Sequence, residues 1–591
     1  MRAFIALYLS AVVLLAIHSH IKIPPESLPD FFHTRMYDGY VFHKSFSRTA
    51  RTSETLQQAV QEYRKRYHKY PPPRFDAWYE YATARHSAVV DRFDGLWHDM
   101  QPFYALDPKE IRSRTQDLIN DPNNDIAGVT IRDGRAHAGP NIPAKHEWAI
   151  EGVVKMINQF AEHLPDMDLA FNTNDANRVV VPFERIEYLR RMSEATNNDV
   201  EPKNEWQPGR SSLWPRLTGD LRGTNIMHQL SPLDNVYRYA AAGCPPSSPA
   251  RRQNYWKLGT SCTHCALPDS HNVDKLATKR ADACAQPDLQ HLHGAYSAPA
   301  VSKVTNKLYP IFSQSRVPGF HDILYPSAWD YVDRTAYQPG GLHQDPVWAD
   351  KTNVAYWRGS TTEGVSDGKG AAKWQGMLRQ RFVHLANNIK GVSPPALVYR
   401  WDAAVTGLQW FMPVSARDIT NLVQTDIKIT PDIARCEGVD CDVQRWEFAP
   451  TSNETDFQEL WSHKYLLDMD GASASTRFLP MLRSRSLPLR ASIMQEWWHD
   501  RVVPWMHYVP LDVRGSDFWS ILAWFSGVDG DVNGQHFKLL PLADKGELMA
   551  NAGRQWAEAA LRKEDMEIYF FRLLLEWARI TDDNREDIGF T

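Results

Sequence analysis

The sequence predicts an α/β protein of two or more domains, at least one built on a Rossmann-like parallel sheet. Three observations carry this. At 591 residues the chain is too long for a single core. Its second half alternates short apolar runs with helical periodicity. In the first half, a helix from about Glu147 to His163 feeds a short apolar strand, Met167 to Asn172, through Pro165.

The elements follow in order. Ala3 to Ile17 carries no charge and follows Arg2. These fifteen residues fall short of the roughly 20 of a usual membrane span. They also match the apolar core of a signal peptide, but His18, Ser19 and His20 give no clear cleavage pattern. The stretch reads as an uncleaved signal anchor over residues 1–25, with a cleaved signal peptide as the alternative. Either one directs the remainder into the secretory lumen. Residues 18 to 50 read as an irregular stem. Leu56, Val60, Tyr63 and Tyr67 share one face of a helix capped by Ser53, and Pro71-Pro72-Pro73 ends it. Phe75 to Ala82 resumes as an aromatic helix.

Residues 200 to 345 are irregular. Strand and helix then alternate. Strands are expected at Asn353 to Trp357, Tyr465 to Met469, Leu487 to Leu489 and His507 to Leu511. Helices are expected at 374 to 388, Thr476 to Arg483, 492 to 499 and 516 to 525, the last capped by Ser516. The chain closes with an amphipathic helix from about Asp565 to Ile580.

Composition narrows the partners. Sixty-six basic residues face seventy-one acidic ones, which argues against nucleic acid. The cysteines are Cys244, Cys262, Cys265, Cys284, Cys436 and Cys441, an even number that suits disulfides in a lumenal protein. Cys436 and Cys441 are close enough to staple one loop. A zinc site around Cys262 and Cys265, with His264 and His271 nearby, is the rival reading. Asn453-Glu454-Thr455 is a glycosylation sequon.

The chemistry centres on two segments. In KYLLDMDGASASTRF a strand ends, the small residues Ala472, Ser473, Ala474, Ser475 and Thr476 follow, and a helix begins near Ser475 with Arg477 at its rim. Small side chains let an anion approach backbone N–H groups at a helix start, and Arg477 adds a fork of donors. YWRGSTTEG repeats the design with Arg358, Gly359 and Ser360. Two such loops suit a pyrophosphate held from two sides. Neither is a Walker A loop or a dinucleotide fingerprint, which leaves a nucleotide sugar as the expected ligand. Asp468-Met469-Asp470 also resembles a DxD metal motif. With Arg477 and Arg358 both available a metal is not required, so no metal or other cofactor is expected, with a metal-dependent DxD-type UDP-sugar transferase as the alternative. Asp175, beyond the strand Met167 to Asn172, is the candidate general base. His507 and Tyr508 are candidates for lining the nucleotide pocket.

These segments resemble the capsule-associated glycosyltransferases of glycosyltransferase family 90, which include fungal β-1,2-xylosyltransferases and animal protein O-glucosyltransferases. Tyr63 to Ala82, Leu164 to Asp175, Asp322 to Tyr331, Tyr356 to Gly364, Lys464 to Phe478 and Pro504 to Leu511 carry the resemblance in order. It implies a GT-B architecture of two Rossmann-like domains facing a cleft. It also implies inverting transfer from a UDP-sugar, generally without a metal, with Asp175 as base. Arg358, Gly359, Ser360 and Ala472 to Arg477 would bind the donor. Xylose is the favoured sugar, glucose the next, and a glycan or glycoprotein hydroxyl the acceptor. The expected domains are an anchor at 1–25, a stem and helical segment at 26–100, an acceptor-side domain at 101–345, a donor domain at 346–560 and a terminal helix at 561–591. A type II Golgi membrane enzyme is the expected setting, with the ER lumen or secretion as alternatives. An inactive sugar-binding protein on the same fold is the remaining alternative.

Overall fold

The computed structural model describes residues 31–194, 201–215, 217, 226–230, 236–252, 281–300, 303–368, 373–391, 393, 395–401, 409–532 and 534–591. The expected anchor at 1–25, and Cys262, Cys265, His264 and His271, lie outside them. Among the described residues no helix is long and apolar enough to cross a membrane.

Two five-stranded sheets organise the chain. The second is wholly parallel, in the order Thr425–Ile429, Thr352–Gly359, His463–Met469, Leu487–Ala491 and Val509–Pro510. This is the expected Rossmann-like unit. Its central strand His463–Met469 is buried over its last five residues, as a strand covered on both faces must be. The first sheet runs Arg135–Ala138, Ile126–Arg132, Met167–Asn172, Ile311–Ser313 and Ile323–Leu324. It is mixed: Ile126–Arg132 is antiparallel to both its neighbours, and only the last three strands are parallel. The tight turn at Asp133 and Gly134, both at positive φ, makes that hairpin, which the sequence reading missed.

Several expected boundaries move. The irregular stem is instead a helix over its second half, Phe31–Ala50, with Phe32 against the rings of Trp505 and Trp524. Thr55, not Ser53, caps the helix Leu56–Tyr67 through a capping box with Gln58. Ser53 bonds the Asp91 carboxylate instead. No helix forms at 492–499, where Ser492 and Gln495 are drawn into contacts with Asp470 and Arg316. The last helix of the second sheet is Phe518–Ser526, and Ser516 bonds Asp512 rather than capping it.

The terminal helix Lys563–Ile580 is buried on every side from Asp565 onward, so it is not amphipathic. Its apolar residues join the core of the first half, with Trp577 edge-on to Phe103 and Phe312. Its charges are paired. Glu576 accepts from Tyr63 Oη at 2.7 Å, Arg572 at 3.0 Å and Arg579 at 2.8 Å. The chain thus returns to its first domain after completing the second. Among the described residues two disulfides are formed, Cys244–Cys284 and the expected Cys436–Cys441.

Candidate active site

The parallel strand Met167–Asn172 ends in a loop that carries Asp175. Asn172 shapes it: its Oδ1 accepts from Asn174 N at 3.1 Å, and its Nδ2 donates to Ala176 O at 2.9 Å. Asn177 then fastens the loop to the next segment, donating to Ser315 O at 2.7 Å and accepting from Val317 N at 3.0 Å. Ser315 faces the other half of the molecule. Its hydroxyl meets that of Ser473 at 2.6 Å and accepts from Ala474 N at 3.5 Å. The base loop and the small-residue loop are therefore joined through one serine. Asp175 and Ala472 line the same crevice, a void of about 20 Å³ that Met494 and Phe320 also border. Those two residues also line a cavity of about 590 Å³ drawn from both halves, with Arg316, His321, Trp498 and Tyr508 in its wall.

The small-residue loop differs in one respect from its expected form. The helix after it is Phe478–Arg483, six residues long with Arg477 as its N-cap, so residues 472–476 precede the helix. A short helix adds little dipole to an anion site. Arg477 itself donates from Nη1 to the Arg358 carbonyl. Burial pushes its guanidinium below its ordinary value, and it forms no ion pair among the described residues. The Asp468 carboxylate offsets part of that burial from a distance, and a desolvated cation with no carboxylate in contact gains from an arriving anion. Ser475 is buried, and Thr476 Oγ1 lies 3.5 Å from Thr335 Oγ1.

Arg358 is placed differently. Its guanidinium turns onto the neighbouring strand, bonding the Asp426 carboxylate at 2.5 Å and the Asp426 carbonyl at 2.8 Å. It therefore contributes its backbone carbonyl to the site, while its side chain serves Asp426. Gly359 is required locally, because a Cβ there would stand 2.5 Å from the Trp357 ring. Ser360 Oγ is buried with no hydrogen-bond partner. A buried hydroxyl in that state is open to a hydrogen bond from a ligand or a water.

Arg379 was missed from the sequence. It lies at the start of the helix Leu378–Asn387, and its guanidinium clamps the two loops together. Nε donates to Asp470 O at 2.8 Å, and Nη1 to Ser360 O at 2.8 Å and Thr362 Oγ1 at 2.7 Å. Burial, then the adjacent Arg477 cation, push its guanidinium down to about 10. Arg379-Gln380-Arg381 reads in the sequence as an ordinary polar stretch of a helix and gave no signal for this role. Arg435 was missed as well. It donates from Nη2 to Asp175 Oδ2 at 2.7 Å.

The two aspartates of the DxD reading are engaged inside the protein. Asp470 accepts from Ser492 Oγ at 2.6 Å on one oxygen, and from Ile493 N at 2.8 Å and His293 Nε2 at 3.2 Å on the other. Asp468 accepts from Arg490 at 2.5 Å on Oδ2, while its Oδ1 is buried without a hydrogen-bond partner among the described residues. Among the described residues no group of three or more His, Cys, Asp or Glu side chains is placed to hold a metal ion. His507 is also reassigned. It stacks on Trp556 and accepts from Val503 N at 2.9 Å, as a packing residue, whereas Tyr508 lines the large cavity.

Residues 418–586, which include the small-residue loop, match the family model of glycosyl transferase family 90. Over this part of its length the chain is similar to glycosyl transferase family 90. Protein O-glucosyltransferase 1 of Homo sapiens is 22% identical over 318 residues, covering 50% of this chain and 64% of the relative. O-glucosyltransferase rumi of Drosophila melanogaster is 28% identical over 290 residues, covering 46% and 55%. Its counterpart in Drosophila pseudoobscura pseudoobscura is 29% identical over 135 residues, covering 22% and 30%. The chain thus spans between 30% and 64% of the length of these relatives.

Proposed function

We propose that this protein is an inverting glycosyltransferase that moves a sugar from a UDP-sugar to a glycan hydroxyl in the secretory lumen. The observation that carries the reading is that Asp175 and Ala472 of the small-residue loop line one crevice. A general base brought beside an anion-binding loop is what direct displacement at an anomeric carbon needs. Asp175 takes the proton of the acceptor hydroxyl. The acceptor oxygen bonds to the anomeric carbon from the face opposite the leaving group. The bond to the diphosphate oxygen breaks and its electron pair leaves with UDP. Arg477, Ser360 and the backbone of 472–476 receive the developing charge.

The internal commitments of Asp470 and Asp468 support a donor site that works without a divalent ion. The family resemblance favours xylose as the sugar, and the names of the relatives bring glucose level with it. Residues 1–25 would anchor the enzyme in the Golgi membrane. The test is incubation of the full-length chain with labelled UDP-xylose, UDP-glucose and other UDP-sugars, with an α-mannoside acceptor and EDTA. Transfer from one donor is expected. Transfer that appears only when manganese replaces EDTA would return Asp468 and Asp470 to a metal-binding role. Sugar binding without turnover under either condition would favour an inactive binding protein.

A further inference from the structure

We propose that Arg435 is the residue that orients the base and receives the acceptor. The inference rests on the transferase reading above. Asp175 belongs to the first half of the molecule and Arg435 to the second, and the two meet at 2.7 Å through Oδ2 and Nη2. One carboxylate oxygen is thereby fixed. The other, Oδ1, is left to take a proton. The second terminal nitrogen of Arg435, Nη1, is buried with no hydrogen-bond partner. Nη1 and Nη2 stand on one rigid fork, so a donor with nothing to bond lies within a guanidinium's width of the base. An acceptor hydroxyl that reaches Asp175 brings its ring and neighbouring oxygens to that donor.

The backbone around Arg435 is built to hold it. Arg435 adopts a left-handed conformation, φ 56°, which is costly for a residue with a Cβ. The strain is held by its surroundings. Ser366 N donates to Arg435 O at 2.8 Å, Glu437 N donates to Ser366 O at 2.8 Å, and Thr361 Oγ1 donates to Ala434 O at 2.9 Å. The Cys436–Cys441 disulfide closes the other side. The segment 361–366 that grips Arg435 follows directly from Ser360, so the acceptor side of the site is tied to the donor loop. Because the pair crosses between the two halves, the base is oriented only when the halves are together.

The group transfer is unchanged in its balance. The acceptor proton passes to Asp175 Oδ1, the new bond forms at the anomeric carbon, and UDP leaves with the electron pair of the bond that breaks. Arg435 stays protonated throughout and moves no proton.

The experiment compares full-length wild type with Arg435→Ala and Arg435→Lys in the transfer assay, with UDP affinity and thermal midpoint measured on each. The expected result for Arg435→Ala is a kcat at least tenfold lower, a raised acceptor KM, and a donor KM and UDP affinity within twofold of wild type. Guanidinium ion added to Arg435→Ala is expected to restore part of kcat, and Arg435→Lys to retain more activity than Ala. A structural role alone gives no guanidinium rescue. An active wild type with Arg435→Ala equally active, or inactive with lost UDP affinity and no rescue, overturns the assignment of Arg435. A folded wild type that turns over no donor overturns the transferase reading, and this assignment with it.

Discussion

Arg379 donates from Nε to the carbonyl oxygen of Asp470 at 2.8 Å, and the same guanidinium reaches Ser360 O at 2.8 Å. One buried cation therefore fixes the distance between the two loops proposed to hold the diphosphate. Removing it leaves buried carbonyls without donors, each of which costs about 1–3 kcal/mol. Arg379→Ala is expected to lose about 3 kcal/mol of unfolding free energy in urea titration and to weaken UDP binding. Arg379→Lys recovers little, since an ammonium cannot reach both loops as a fork. UDP affinity unchanged in Arg379→Ala would show that the clamp does not shape the donor site.

Asp175 is partly exposed, and its loop is held by Asn172 and Asn177 rather than by its own carboxylate. Asp175→Asn should fold as wild type and bind UDP. Its transfer rate should fall by about 10²–10⁴, the usual worth of a positioned base. Steady-state kinetics beside calorimetric UDP binding separates the two effects. A variant that keeps wild-type kcat would move the base elsewhere.

Glu576 ties the terminal helix to the first half. Burial pushes its carboxyl up, but Arg579 and Arg572 outweigh that and hold it below its ordinary value. A group with a depressed folded value stabilises above its unfolded value, near 4.5, and loses that contribution as pH falls through the folded one. Glu576→Gln is expected to lose about 3–5 kcal/mol at pH 7, as when one partner of a buried pair is removed. The gap between wild type and variant should narrow below pH 4.5 in urea titrations across pH. A gap constant down to pH 3 would contradict the pairing.

The two disulfides close loops of different length, with sequence separations of 40 and 5. Chain entropy assigns about 4 kcal/mol to Cys244–Cys284 and about 2 kcal/mol to Cys436–Cys441. Cys244→Ser with Cys284→Ser should therefore lower the thermal midpoint more. Cys436→Ser with Cys441→Ser should lower kcat more, because that bridge flanks Arg435. The reverse ordering in activity would separate the bridge from the site.

The fold was legible where periodicity reports it. Met167–Asn172 and the core of His463–Met469 could be read because fully buried strands are continuous apolar runs. The antiparallel strand Ile126–Arg132 is equally apolar, and Asp133-Gly134 marks its hairpin, a signal that the sequence reading passed over. The helix Phe31–Ala50 was hidden because its polar residues cover much of its surface, and what it packs against, Trp505 and Trp524, is distant in sequence. In the site, small residues and Arg477 announced a bare backbone beside a cation. The direction of the Arg358 side chain was not readable, because it depends on Asp426 from the neighbouring strand. Arg379 and Arg435 were not readable either, since their partners lie far away along the chain.

A crystal structure of the full-length chain with UDP, grown without divalent metal, tests the central claim most directly. The account predicts the diphosphate against Ser360 Oγ, Arg477 and the N–H groups of 472–476, with its terminal phosphate facing Asp175 across the crevice. A diphosphate bound away from that loop, or UDP that binds only with a divalent ion on Asp468 and Asp470, would contradict it.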